Sequence, residues 1–546
     1  MFPAAIADGV RTALTAAAAA GDLPELDVMV EVERPRDPDH GDWSCNVALA
    51  ASKAAAKSPR EVAEIVVAHL ADIEHVVGVD IAGPGFLNFR LGRPWLTEVL
   101  RRAASDNDFG TSDLGKGHKV LVEFVSSNPT GPLHIGHARG GFFGDALSNL
   151  LERAGYSVSR EYYFNDAGGQ MDRYAASFAA RYRGTEPPED GYLGGYVDVW
   201  ASELRETQGS ALDDAAAIAW GVERAMAHIR ATLDTAGIGM DGFVSEQSIH
   251  DKGEVQLSLD AMRRAGHLYE DDGATWFRAT TFGDEKDRVL IKSDGSYTYV
   301  VPDIAYHWDK FERGFDTLIN VWGADHHGYI PRLKAGLQAA GYDPDRLEII
   351  ITQLVTLTRG GEPIKMSTRA GEFVTLDEVL SEVGLDATRY HLLAFSPDSA
   401  ITFDLDEVAR ETMDNPVYYL QYAHARMCSL ERFAASEGVD RGSLADAPLD
   451  RLSHDAETAL LRQIDRLGEE VELAAVRRAP HRICSYGYEL AGAFHKFYSD
   501  VRIVGEQDGR PIPPEVTAAR LWLVEAAKNT LVIVLAILGI SAPTEM

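Results

Sequence analysis

The chain reads as an α/β protein in which a parallel-sheet core lies between an N-terminal α+β domain and a C-terminal all-α helical domain. Three observations predict this. From residue 118 to about 408, apolar β-branched runs alternate with helical segments, the order that builds a parallel sheet. From about 409 to the end, apolar residues recur at helical spacing. Between them in importance stands the stretch 120–139, V-L-V-E-F-V-S-S-N-P-T-G-P-L-H-I-G-H-A-R, which is a strand, a tight turn and a helix start in one run.

Length and composition set the bounds. The 546 residues accommodate about three domains, expected at 1–108, at 118–410 with a helical insertion over about 170–266, and at 411–546. Hydrophobic residues make up 45%, which excludes a disordered chain. Cys45, Cys428 and Cys484 are scattered and form no C-x-x-C pair, so neither a zinc knuckle nor a disulfide framework is signalled. No basic stretch precedes an apolar core at the start, and the most apolar run, 531–538, is too short to span a bilayer. The expectation is a soluble cytoplasmic protein with no membrane partner. A net charge of −32 argues against nucleic acid only if it is spread evenly, since a local basic face suffices for binding.

The elements follow in order. Residues 2–20 are Ala-rich and helical by propensity. Residues 29–33 alternate like a strand, 47–56 read as a helix, and 59–70 as another with Ser58 as its N-cap. His40–Asn46 reads as a loop around a buried Trp43, and 81–91 as a turn followed by a strand. Residues 106–117 are a linker by composition. Then come a strand at 120–125, a helix at 138–154 stopped by Gly155, and a strand at 158–164. That strand ends at Asn165, Asp166, Ala167 and Gly168, where loops in open α/β sheets build sites. The insertion carries a short extended piece at 243–249 that includes Glu246. Residues 275–301 read as antiparallel strands around Asp294-Gly295. Strands at 317–322 and 347–357 lead into Gly323–His327 and into a Gly-rich loop at 359–371. Helices are expected at 415–434, 455–476, 482–500 and 514–538, with Gly539 and Pro543 closing the last.

The chemistry begins at the turn. Backbone N–H groups and the dipole at a helix start favour phosphate. His134 and His137, three residues apart, can both address one triphosphate, and Gly136 between them leaves room for a flat ring against the backbone. A second element lies far downstream, Lys365-Met366-Ser367-Thr368-Arg369. Together they resemble the HIGH and KMSKS signatures of class I aminoacyl-tRNA synthetases. The longer strings NPTGPLHIGHAR and KMSTRAG resemble the arginyl-tRNA synthetase family, and the resemblance extends over the whole chain.

That resemblance implies a Rossmann-like catalytic domain that activates L-arginine with ATP and Mg²⁺ and transfers it to arginine tRNA. It also implies an N-terminal domain touching the D-loop side of tRNA, a helical anticodon-binding tail, and activation that needs bound tRNA. ATP would meet Pro132, His134, Gly136, His137, Lys365, Met366 and Ser367. His134, His137, Lys365 and Arg369 would be catalytic. Thr368 stands where the signature has its second lysine, so Lys365 acts alone or with Arg369. A monomer is the expected state.

Arginine recognition needs carboxylates facing a guanidinium fork. By resemblance to the family's Y-x-x-x-D string, Tyr299 and Asp303 supply one, with Glu246 a second acidic contact. Glu123 and Asn128 would hold the α-amino group, with Asp325 and His326 lining the same pocket. His326-His327 as a metal pair lacks a third ligand, and no metal site is expected. In the tail, Arg477, Arg478, Arg482 and Tyr486 suit RNA, since bases stack on rings while arginines meet phosphates. Phe494 and Phe497, three apart, are expected in the helix core. A cysteinyl synthetase would want zinc-binding cysteines. A small H-x-G-H nucleotidyltransferase would be about a third as long. A non-catalytic tRNA-binding paralogue would have no need of His134, His137 and Lys365.

Overall fold

The computed structural model describes all residues except Met1, Arg36, Pro38, Asp39, Ala167, residues 365–373 and Asp508, and for Phe2 only the backbone. The chain divides into two compact units. One holds Met1–Asp106, Gly438–Asp465 and Phe497–Ala527, and the other Asn107–Glu437, Arg466–Lys496 and Lys528–Met546.

The first unit is built on a four-stranded antiparallel sheet in the order Val32–Glu33, Trp43–Cys45, Phe86–Leu91, Val76–Ala82. Helices Phe2–Ala20, Val47–Ala55 and Pro59–Ala68 complete its core. The third of these starts as its sequence predicts: Ser58 accepts from the Glu61 amide, and Glu61 closes the capping box. Residues 40–46 are not simply a loop. Trp43, Ser44 and Cys45 are all buried, and pairing with Phe86–Leu91 satisfies their backbone. The strand Val76–Ala82 escapes sequence reading because Gly78 and a half-exposed pattern weaken its alternation. The expected strand at 29–33 is paired only at Val32–Glu33. Arg34 lies over the Trp43 ring and pairs with Asp465, while Arg462 pairs with Asp42 at 3.1 Å, so ion pairs tie helix Asp455–Asp465 to this sheet.

The second unit contains a five-stranded parallel sheet in the order Leu347–Thr352, Thr317–Gly323, Lys119–Glu123, Ser157–Phe164, Gly242–Ser245. Strand order reverses beside Lys119–Glu123, which places a ligand crevice outside the carboxyl ends there. The central strand is apolar on both faces, with Val120, Leu121 and Val122 fully buried.

Several expectations are corrected here. Gly242–Ser245 is the edge strand of the sheet, so it is not part of the helical insertion. The insertion's three helices, Gly169–Arg183, Gly195–Gln208 and Asp214–Thr235, have their own core around Tyr174, Phe178 and Trp200. Four residues are too few to show a period, so the strand carries no periodic signal of its own in the sequence. The helix after the turn is Ile135–Arg153, starting three residues earlier than expected because His134 caps it. Between 275 and 301, Ala274–Phe277 and Arg288–Ile291 do pair, but the chain past Asp294-Gly295 enters helix Val300–Glu312. Ten of that helix's thirteen residues are buried, which erases an amphipathic stripe, and Pro302 is tolerated in a first turn. The helix expected at 455–476 is two, Asp455–Asp465 and Leu467–Val476.

Helix Pro514–Leu538 extends well beyond the apolar run at 531–538. By length and composition it could cross a membrane, yet 67% of its most apolar 18-residue window is buried inside the protein.

Candidate active site

The site is organised by a strained loop. Val125 and Ser126 have φ of 69° and 41°, left-handed values that cost about 1–3 kcal/mol each for residues other than glycine. Hydrogen bonds to the flanking strands hold Ser126 and the residues after it. Ser126 Oγ donates to Glu123 Oε1 at 3.0 Å and accepts from the Tyr163 amide at 3.1 Å. The Ser127 amide donates to the Tyr162 hydroxyl at 3.1 Å, and that hydroxyl donates to Ser127 O at 2.7 Å. Asn128 accepts from the Asn165 amide at 3.0 Å and donates to Gln170 Oε1 at 2.6 Å. The loop is thereby fastened to strand Ser157–Phe164 and to the first insertion helix.

It delivers His134 and His137 in one defined state. His134 Nδ1 accepts from the Gly136 amide at 3.1 Å, and His137 Nδ1 accepts from the His134 amide at 3.2 Å. The rings stack with centroids 3.8 Å apart. Burial keeps both neutral, pushing His137 down to about 3 with a further contribution from His134. With Nδ1 accepting, the neutral ring carries its proton on Nε2. Gly136 leaves the His134 ring room to pack closely, since a Cβ there would lie 3.0 Å from it and press it aside. The helix N-terminus is thus not a bare anion site, since His134 already uses the Gly136 amide.

Both histidines line a cleft of about 650 Å³. Its other walls include Ser126, Ser127, Asn128, Gly131 and Pro132 from the loop, Gln170, Arg173, Asp190, Tyr192 and Tyr196 from the insertion, and Asp325 and His326. The insertion residues carried no sequence signal, because a helical segment of ordinary composition shows no chemistry until the fold brings it over the sheet. Asp325 and His326 are exposed, with their side chains 3.5 Å apart.

Other carboxylates cluster nearby in the fold, outside the residues that line the cleft. Glu123 does not reach out as an open acid: its oxygens accept from buried Lys310 at 2.6 Å and from Ser126 at 3.0 Å. Glu161 is likewise taken, by a bidentate Arg313 at 2.7 and 2.9 Å and by the Tyr306 hydroxyl at 2.7 Å. Asp303 and Glu246 are different, because among the described residues neither has an arginine or lysine ion pair. The Tyr329 hydroxyl donates to Asp303 at 2.6 Å and the Tyr163 hydroxyl to Glu246 at 2.8 Å. Burial, with the charges of Glu246 and Glu123 against the bond from Tyr329, pushes Asp303 up to about 7. Burial also raises Glu246. Tyr299, expected to support Asp303, caps the helix and is 80% exposed. The hydroxyl beside Asp303 belongs to Tyr329, a residue its sequence context does not mark.

The Gly-rich loop is described only at its flanks. On one side Glu362–Pro363 pairs with Val355–Arg359. On the other, Thr375 forms an antiparallel bridge with His134, and the Leu376 amide donates to Leu133 O at 2.8 Å. Lys365, Met366, Ser367, Thr368 and Arg369 lie outside the described residues.

In the tail the expected RNA contacts separate. Arg478 forms a fork with Glu348 at 2.9 and 2.8 Å, Arg482 donates to Glu470 at 2.8 Å, and Tyr486 is 1% exposed. Those three serve the protein's own packing. Arg477 is exposed, and Phe494 and Phe497 are core, as their spacing predicts.

Family comparisons agree with this architecture. A model described as arginyl tRNA synthetase N terminal domain matches residues 4–91. The class I (R) catalytic domain of tRNA synthetases matches 99–187 and 222–421, and a DALR anticodon binding domain matches 420–546. An arginine–tRNA ligase of Moorella thermoacetica is 45% identical, covering 100% of this chain and 98% of that relative. One of Bacillus subtilis is 45% identical over 95% of this chain and 94% of the relative. A solved Thermus thermophilus arginyl-tRNA synthetase, 24% identical, shares the fold with a TM-score of 0.77 over the whole of both chains. A crevice carrying a stacked histidine pair and full-length likeness of this degree have one common reading: the chain belongs to the arginyl-tRNA synthetase family of class I aminoacyl-tRNA synthetases.

Proposed function

We infer that the chain is an arginine–tRNA ligase that forms arginyl-adenylate from L-arginine and ATP and passes the arginyl group to the terminal ribose of arginine tRNA. The observation that carries the substrate is the Asp303–Glu246 pair. Both acids are raised by burial, and among the described residues neither has an arginine or lysine at ion-pair distance, which suits them to receive a guanidinium.

In the first step a carboxylate oxygen of arginine attacks the α-phosphorus of ATP. The bond to the β-phosphate breaks, and pyrophosphate leaves with the electron pair. The enzyme positions the reactants and stabilises charge on the phosphates. His134 and His137 donate from Nε2 as neutral imidazoles, on a loop held by Tyr162 and Tyr163. Pro132 and Gly136 form the nucleotide's bed. Lys365, with Met366 and Ser367, brings a cation to the leaving group, and Arg369 is a second candidate for that charge. Glu123 and Asn128 shape the place of the α-amino group, Glu123 through Lys310 and Ser126. Asp325 and His326 border the same cleft. In the second step a ribose hydroxyl attacks the acyl carbon and AMP leaves.

Mg²⁺ bound with the triphosphate would offset its charge. The cleft offers Asp190 and Asp325 as carboxylates for it, and among the described residues no cluster of three metal-ligating side chains forms a separate site. Arg477 contacts tRNA, and the enzyme works as a monomer in the cytoplasm. The deciding experiment is amino-acid-dependent pyrophosphate exchange across all amino acids, with and without tRNA. Exchange with arginine alone, and only when tRNA is present, is the expected result. Exchange driven best by another amino acid would refute the reading.

A further inference from the structure

The sequence leaves one charge unaccounted for. The loop signature normally carries two lysines, and this chain has Thr368 at the second position. Departing pyrophosphate still needs stabilisation, and the loss of one positioned donor to such charge typically costs about 10²–10³ in rate. Arg369 in the same loop is one candidate for that charge, and the fold offers another.

Arg173 is placed to be that cation. Among the described residues lining the cleft that holds His134 and His137, it is the one arginine or lysine. It sits in the first insertion helix, Gly169–Arg183. Gln170, three residues earlier and so on the same helical face, accepts from Asn128 of the histidine loop at 2.6 Å. That bond fixes the register of the helix against the loop and points the Gln170–Arg173 face over the cleft. Most arginines near the sheet are already committed: Arg139 to four backbone carbonyls, Arg313 to Glu161, Arg478 to Glu348. Arg173 is exposed, and among the described residues its guanidinium has no hydrogen-bond or ion-pair partner. Asp190 shares the cleft wall but forms no ion pair with it. A guanidinium can grip two phosphate oxygens at once, which suits it to a leaving pyrophosphate.

We propose that Arg173 is a catalytic residue that binds the β- and γ-phosphates of ATP and stabilises the pyrophosphate as it leaves, in place of the loop's missing second lysine. The proposal rests on the reading that the triphosphate lies at His134 and His137.

The test is a set of five enzymes compared with wild type in arginine-dependent pyrophosphate exchange in the presence of tRNA: R173A, R173K, T368K, the R173A/T368K double variant, and H137A. R173A is expected to lower kcat about 10- to 100-fold while leaving KM for arginine unchanged. R173K keeps the charge and should stay within about fivefold of wild type. The decisive comparison is rescue. T368K should restore most of the loss in R173A and raise wild type far less, because the two cations serve one charge. R173A with kcat within twofold of wild type, while H137A falls tenfold or more, would overturn the role of Arg173 and leave the site reading intact. If R173A and H137A both remain near wild type, the placement of ATP itself fails. An equal gain from T368K in both backgrounds would also overturn the proposal, because the charges would then not be shared.

Discussion

The two active-site imidazoles work without ever needing charge. Burial holds both neutral, His137 at about 3, and backbone donors occupy each Nδ1. They therefore act as fixed dipoles, and titration between pH 6 and 8 should leave His137 unchanged. H137A should lower kcat for adenylate formation by roughly 10- to 1000-fold, the scale for one transition-state donor, with KM for arginine little altered. Steady-state exchange kinetics check this, and a near-normal kcat would remove His137 from the mechanism. Asp303 behaves in the opposite sense. Its folded value of about 7 lies above its ordinary value near 3.8, so the folded protein holds its proton over most of that interval. Guanidinium binding needs the ionised form, so KM for arginine should rise as pH falls below 7 while kcat stays flat. The same sign says that ionising Asp303 destabilises the ligand-free fold as pH climbs from about 4 towards 7 and above. D303N should accordingly melt above wild type at pH 8, with the gap closing near pH 4. A KM for arginine that is constant from pH 6 to 8 would show that Asp303 does not titrate in that window.

At the scale of elements, the loop ahead of helix Ile135–Arg153 stores strain that the neighbouring strand holds in place. Tyr162 is the clamp, since its hydroxyl both donates to and accepts from Ser127. Y162F should release the loop and lower kcat about tenfold, with a small change in melting temperature, because the ring stays packed. Equal losses in stability and activity would mean that the hydroxyl serves the core and not the loop. The strand–turn–helix order was legible because apolar β-branched residues, turn formers and helix formers follow one another within twenty residues. The strain at Val125 and Ser126 was not, since it comes from Tyr162 and Tyr163 on another strand. Edge strand Gly242–Ser245 and helix Val300–Glu312 were hidden for opposite reasons: one is too short to show a period, the other too buried to show a polar face. The tail divides in the same way. Its arginines looked alike in sequence, yet Glu470 and Glu348 claim Arg482 and Arg478. R477A should therefore weaken tRNA binding and reduce its salt slope by about one phosphate contact. R482A should leave that slope alone and lower stability. Equal salt slopes for R477A and wild type would remove Arg477 from the RNA surface.

Across the whole molecule, one parallel sheet brings the site together from segments nearly two hundred residues apart. His134 and His137 follow its central strand, Glu246 its edge strand, Asp303 the helix before Thr317–Gly323, and Asp325 the turn after it. The signatures on the chain were enough to place the nucleotide chemistry, because strand, turn and histidines are contiguous. They did not reveal which acids remain unpaired. That depends on Lys310 neutralising Glu123 and Arg313 neutralising Glu161, both contacts that only folding creates. This selection decides specificity, since apolar contact alone separates similar side chains by only about 1–3 kcal/mol. A fork of acceptors matches arginine and leaves lysine with unfilled partners. The most direct measurement is aminoacylation of arginine tRNA by wild type and D303N, with KM determined for arginine and for ATP and with lysine as competitor. The account predicts a KM for arginine raised about 30-fold or more, since removing one member of a buried charge pair costs about 2–5 kcal/mol. KM for ATP should stay close to normal, and wild type should reject lysine. D303N charging tRNA with arginine at wild-type efficiency would contradict it and leave Glu246 as the acid that reads the guanidinium.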